Sequence, residues 1–176
     1  CIHEEPEIGL YLPKTQEKIV EALKSFGIKE ISTFVGGANV TGVVAVIEGS
    51  RPGKTIGLRA DSDALPLEEK TGVEWSSKVP MTMHACGHDG HVGTLLAAVH
   101  YINQHRDFAG RLVAIFQPGE EGFAGGRYMI EDGLVQKFGI DEFYALHAEP
   151  MLPVGCVGFI PGFATANADI FKITFT

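Results

Sequence analysis

Apolar residues recur along the chain in two rhythms, and the two alternate. Over residues 15–26, Ile19, Val20, Leu23 and Phe26 fall on one stripe of a helical repeat, with Thr15 placed as an N-cap and Gly27 placed to end the helix. Two runs of strand character follow, residues 40–48 and 54–59, joined by the turn-forming Gly49-Ser50-Arg51-Pro52-Gly53. A polar, irregular stretch then extends to Ala85. Helical spacing returns over residues 88–105, where Leu95, Leu96, Val99 and Ile102 share a face. Residues 111–117 read as a buried strand, 126–131 as a short helix stopped by Gly133, and 143–147 and 154–160 as further strands. Strands alternating with helices predict an α/β domain with a mixed, largely parallel sheet flanked by helices.

Composition narrows the function classes. With 45% hydrophobic and 20% charged residues, the 176-residue chain is too apolar to be disordered and long enough for one domain with its own core. A formal net charge of −8 argues against a nucleic-acid or anionic-membrane partner, and no apolar run has the length of a membrane span. Three cysteines are too few for a disulfide framework, which favours a reducing, cytoplasmic compartment. The chain ends on an alternating pattern, residues 169–176, that predicts the start of a strand and hence a longer parent protein.

Three apolar runs lead straight into residues capable of chemistry. Ile56-Gly57-Leu58 is followed by Arg59-Ala60-Asp61-Ser62-Asp63, the run ending at Phe116 by Gln117-Pro118-Gly119-Glu120-Glu121, and Tyr144-Ala145-Leu146 by His147. Ligands of open α/β sheets bind outside the carboxyl ends of the strands. Between these runs, His84-Ala85-Cys86-Gly87-His88-Asp89-Gly90-His91 gathers one thiol, three imidazoles and a carboxylate, the donor types that bind metals near neutral pH. Cys86 and His88 alternate across Gly87, and His88 and His91 are spaced to share a helix face. A single histidine there would simply decorate a turn; this density favours a metal.

Glu120-Glu121 can divide labour, one carboxylate binding a cation while the other takes a proton from water. Taken alone, such a pair among glycines is a solvated loop, Asp61 and Asp63 are turn residues, and His147 is a core histidine. Their common location at strand ends gives them weight. A thiol nucleophile at Cys86 would need one activating base rather than several carboxylates, and no G-x-S-x-G elbow supports a serine hydrolase.

These segments, with Ala64-Leu65-Pro66 after Asp63, Phe116 to Gly122, Leu146-His147 and the opening His3-Glu4-Glu5-Pro6-Glu7-Ile8-Gly9, resemble the M20 metallopeptidase family. The likeness is strongest to its amidohydrolase branch of hippurate hydrolases, N-acyl-amino-acid deacylases and auxin-conjugate hydrolases. It implies metal ligands at Cys86, His88, Glu121 and His147, a general base at Glu120, and Asp61 orienting the centre from behind. Where the wider family has a ligating histidine, this chain has Arg59; His84 and His91 match the branch pattern without an assigned role. The resemblance implies two divalent ions (Mn, Zn, Co or Ni) and cleavage of a small N-acyl amino acid to a carboxylic acid and a free amino acid. It also implies that residues 1–167 are part of the catalytic domain and 168–176 the first strand of an inserted domain, through which the full-length protein forms a homodimer. The chain alone is then expected to be inactive. The alternative is a non-catalytic metal-binding or interaction module that keeps the site.

Overall fold

Two apolar runs, residues 43–47 and 112–116, have no polar side to turn toward water, so both of their faces must be covered. The computed structural model, which describes residues 1–162 and 171–175, covers them with helices. The elements in chain order are α1 (Pro13–Ser25), β1 (Glu30–Val35), β2 (Gly42–Glu48), β3 (Arg51–Asp61), α2 (His88–Gln104), β4 (Ala109–Gln117), α3 (Gly125–Glu131), α4 (Leu134–Phe138) and β5 (Glu142–Ala145). The strands form one sheet of order β1-β2-β4-β3-β5. Pairing is antiparallel from β1 through β2 to β4 and parallel from β4 through β3 to β5. The sheet is therefore mixed, and its parallel half carries the strand ends of interest.

Alternate residues of β2 and β4 feed two cores. Val43, Ala45, Ile47, Leu112, Ala114 and Phe116 pack with α1 and α2 through Ile19, Leu23, Val92, Leu95 and Val99. Val44, Val46, Val113 and Ile115 pack on the other face with Met129 and Leu134 of α3 and α4. Each fully buried Val, Leu, Ile or Phe side chain contributes about 1.5–3 kcal/mol of transfer free energy, so these two strands anchor the fold.

Several local expectations shift. Helix α1 begins at Pro13, and Leu12 before it supplies no side-chain cap. Glu7 does so instead: its carboxylate accepts the Thr15 backbone N–H at 2.8 Å and the Thr15 hydroxyl at 2.9 Å. Thr15 is thus a buried first-turn residue and not the N-cap. The strand expected over 143–147 ends at Ala145 and is an exposed edge, since among the described residues β5 pairs only with β3. No strand forms over 154–160, where Val154, Val157 and Phe159 face solvent. Of the strand expected over 169–176, residues 169, 170 and 176 lie outside the described residues, as does the domain boundary near 168; residues 171–175 carry no strand. Among the described residues, no helix is long and apolar enough to cross a membrane.

Candidate metal centre

Parallel register sets the carboxyl ends of three strands side by side: Asp61 of β3 lies opposite Gln117 of β4, and Arg59 opposite Ala145 of β5. The chain leaving β4 carries Glu120 and Glu121, the chain leaving β5 carries His147, and α2 starts against them with His88 and His91. Gly87 makes this start possible. At φ +83° it sits in the left-handed region, so Cys86 and His88 meet through a tight turn rather than along extended backbone.

The donor atoms of Cys86, His88 and His147 lie within 4.8 Å of one another, as do those of His88, Glu120 and Glu121, and those of Asp61, His88 and His91. Cys86, His88, Glu120, Glu121, His147 and Asp61 are therefore brought together with His91, and His88 is common to the three sets. Cys86 Sγ is 3.4 Å from His147 Nε2. His84, by contrast, belongs to none of these sets; it is buried, neither ring nitrogen has a partner among the described residues, and burial pulls its pKa down to about 4.

His88 provides the test of whether a cation fits. Its Nδ1 lies 2.8 Å from the Asp63 carbonyl, which fixes the proton there and leaves the lone pair on Nε2. That Nε2 is buried and has no hydrogen-bond partner among the described residues. It faces Asp61 Oδ2 at 3.6 Å, Glu120 Oε2 at 3.8 Å and Glu121 Oε1 at 3.9 Å, all acceptors and all beyond hydrogen-bond reach. A buried acceptor left unpaired costs about 1–3 kcal/mol. A cation is the species that satisfies a lone pair ringed by carboxylates, so the donor set fits one. Burial alone would lower the His88 pKa, yet the hydrogen bond to Asp63 and the charges of Asp61 and Asp63 outweigh it and raise it.

The same field decides against a thiol nucleophile. Burial first, then the carboxylates of Glu121, Glu120 and Asp61, push the Cys86 thiol up to about 11, the opposite direction from an activated cysteine.

One contributor stands outside the expected set. Asp63, grouped with Asp61 as a possible turn residue, is buried and accepts the backbone N–H groups of Glu120 at 2.9 Å and Glu121 at 3.0 Å. It clamps the loop that presents both glutamates. An Asp two residues after Asp61 was the available signal, but nothing local says which amides it meets.

The opening motif reaches the site from behind. His3 Nδ1 is 2.8 Å from Asp89 Oδ2 in the first turn of α2, and its Nε2 is 3.2 Å from Glu69 Oε1. Burial opposes the His3 charge, but these two carboxylates outweigh it and raise its pKa above 6.5. A raised histidine stabilises the fold fully below pH 6.5 and ceases to do so as pH rises through its folded value. His3→Gln is accordingly expected to lower the thermal midpoint most below pH 6.5 and progressively less as pH rises through the raised folded value of His3. A gap independent of pH would show that His3 acts through shape alone.

Residues 57–175 match the model of peptidase family M20/M25/M40. The chain belongs to this family. It is 42% identical over 160 residues to an N-acetyldiaminopimelate deacetylase of Lactobacillus helveticus, covering 89% of this chain and 41% of that protein. It is 46% identical over 149 residues to a hippurate hydrolase of Campylobacter jejuni, covering 85% of this chain and 38% of that one. Among solved structures of the M20 family, the Bacillus subtilis YXEP protein, a dinuclear metal-binding peptidase, superposes with a TM-score of 0.81 at 40% identity. That match covers 88% of this chain and 42% of the other. The chain thus spans about two fifths of the length of the relatives it matches.

Proposed function

We propose that this chain is the metal-binding part of an M20 amidohydrolase that cleaves small N-acyl amino acids to a carboxylic acid and a free amino acid. The observation that carries the reading is the buried, unpartnered Nε2 of His88 at the junction of a thiol, an imidazole and three carboxylates. Similarity to proteins named as a deacetylase and a hippurate hydrolase supports the substrate class.

In this reading Cys86, His88, Glu121 and His147 hold two divalent ions (Mn, Zn, Co or Ni). When bound, the ions supply Lewis acidity, lowering the pKa of a coordinated water and polarising the amide carbonyl. Glu120, the more exposed of the two glutamates, takes a proton from the attacking water and returns it to the departing amine. Asp61 and Asp63 act from behind, the first on His91 and Arg59, the second on the loop of Glu120 and Glu121. Residues 1–167 belong to the catalytic domain, residues after 167 lead into an inserted domain that mediates homodimerisation, and the enzyme works in the cytoplasm.

Metal content measured by plasma mass spectrometry tests the site. After loading with manganese or zinc and dialysis, about one to two ions per chain are expected, lost in Cys86→Ser and in Glu121→Ala. Hydrolysis of hippurate and N-acetyl amino acids by the full-length protein, abolished by a chelator, tests the reaction. Ions retained without any hydrolysis would favour the non-catalytic module, and chelator-resistant hydrolysis would overturn the metal reading.

A further inference from the structure

Three imidazoles crowd the site, and their protons sort them. In His88 the Nδ1 proton goes to the Asp63 carbonyl, in His147 to the Ala148 carbonyl at 2.7 Å. Both residues thereby present an Nε2 lone pair to the donor cluster. His91 differs. Its Nε2 lies 2.8 Å from the backbone nitrogen of Ala148. A backbone N–H can only donate, so Nε2 must be the bare nitrogen, and the ring proton sits on Nδ1, 2.6 Å from Asp61 Oδ1. Neither nitrogen of His91 is left for a cation, although His91 forms a metal-sized set with Asp61 and His88.

We propose that His91 is a latch that positions His147. It ties the loop after β5 to the end of β3, and it rests on the reading of His147 as a ligand. The anchor behind it is firm. Arg59 Nη1 donates to Asp61 Oδ2 at 2.7 Å and its Nε donates to Gln117 Oε1 at 3.0 Å. The chain Gln117–Arg59–Asp61–His91–Ala148 therefore crosses β4, β3, α2 and the loop that follows β5.

The loop needs such a tether. Its strand is four residues long and, among the described residues, paired on one side only. Among the described residues, just two hydrogen bonds reach residues 146–149 from outside the loop: Cys86 Sγ to His147 and Ala148 N–H to His91. The first involves two donors that a cation would claim. Only the second can hold the loop whether or not an ion is present. The His91 and His147 rings also meet edge to face at 4.6 Å, so the latch fixes ring orientation as well as backbone position. Beyond His91 lies an apolar cavity of about 200 Å³, lined by Leu58, Leu95, Ala98, Tyr144 and Leu146, into which a freed loop could relax.

Two substitutions separate the halves of the latch. His91→Asn keeps a donor near the Nδ1 position for Asp61 and loses the acceptor for Ala148; His91→Gln keeps an acceptor near Nε2 and loses the bond to Asp61. Nitrogen NMR of the 176-residue chain should show His91 as the Nδ1–H tautomer. The Ala148 amide should exchange slowly in the parent and in His91→Gln, and fast in His91→Asn. Cobalt(II), followed by its thiolate absorption, should bind about 10- to 100-fold more weakly to His91→Asn, with His91→Gln much closer to the parent.

An Nε2–H tautomer, or loss of one cobalt equivalent in both variants alike, would overturn the latch and make His91 a ligand. A parent chain that binds no cobalt would count against the metal reading, while the tautomer and the Ala148 exchange would still decide the latch.

Discussion

Asp63→Ala is expected to destabilise the chain by about 2–6 kcal/mol and to abolish metal binding. The side chain is 1% exposed, and each of its oxygens takes one backbone N–H, Oδ1 that of Glu120 and Oδ2 that of Glu121. Alanine leaves both amides without a partner, at about 1–3 kcal/mol each, and frees the loop that presents the two glutamates. Denaturant unfolding followed by circular dichroism measures the loss; a change under about 1 kcal/mol would mean that something else holds the loop. The pH dependence has a definite sign. Burial raises the Asp63 pKa, but the adjacent His88 ring and the hydrogen bonds from the two amides outweigh it and hold it below 3.8. A depressed carboxylate stabilises above its unfolded value and ceases to do so as pH falls through its folded one. The gap between parent and variant should therefore be full above the unfolded value and should close as pH falls through the lowered folded one. Asp63→Asn should fall between, since its amide can accept from one N–H but confronts the other with a donor.

The sequence reveals which residues carry chemistry better than it reveals what holds them. Helix α2 and strand β4 were legible because the first has an apolar stripe of helical period and the second an unbroken apolar run. Strand β5 was legible as a strand but not as an exposed edge, because an apolar run does not say whether a neighbour will arrive on each side. The apolar positions over 154–160 suggest a strand that finds no partner, and pairing is a property of the sheet rather than of the segment. Strand β1 leaves no strand signal in the sequence, because its burial follows no clean alternation. Glu7 caps α1 from six residues ahead of Pro13, outside the window in which caps are sought. Asp61 and Asp63 looked equivalent; only the fold sends one to Arg59 and His91 and the other to two backbone amides. His91 was indistinguishable from a ligand because its tautomer is set by Ala148, 57 residues away.

Glu120→Gln in the full-length protein should lower kcat by about 10²- to 10⁴-fold while leaving metal content and KM nearly unchanged. The two glutamates are hard to separate by distance, 3.8 and 3.9 Å from His88 Nε2, and differ instead in their access to solvent. Glu121 is 23% exposed and Glu120 43% exposed, which suits the first to a buried cation and the second to water and substrate. Glutamine matches glutamate in shape and keeps an acceptor oxygen, but it cannot take a proton from water or return one to an amine. Loss of turnover with metal retained thus isolates proton transfer from ligation. Glu121→Ala should do the reverse, releasing metal first and activity as a consequence. If Glu120→Gln instead emptied the site while Glu121→Ala stayed loaded and slow, the two carboxylates would exchange roles. That outcome would place the proton-transferring group on the more buried side of the loop, where the Glu121 carboxylate also helps push the Cys86 thiol up.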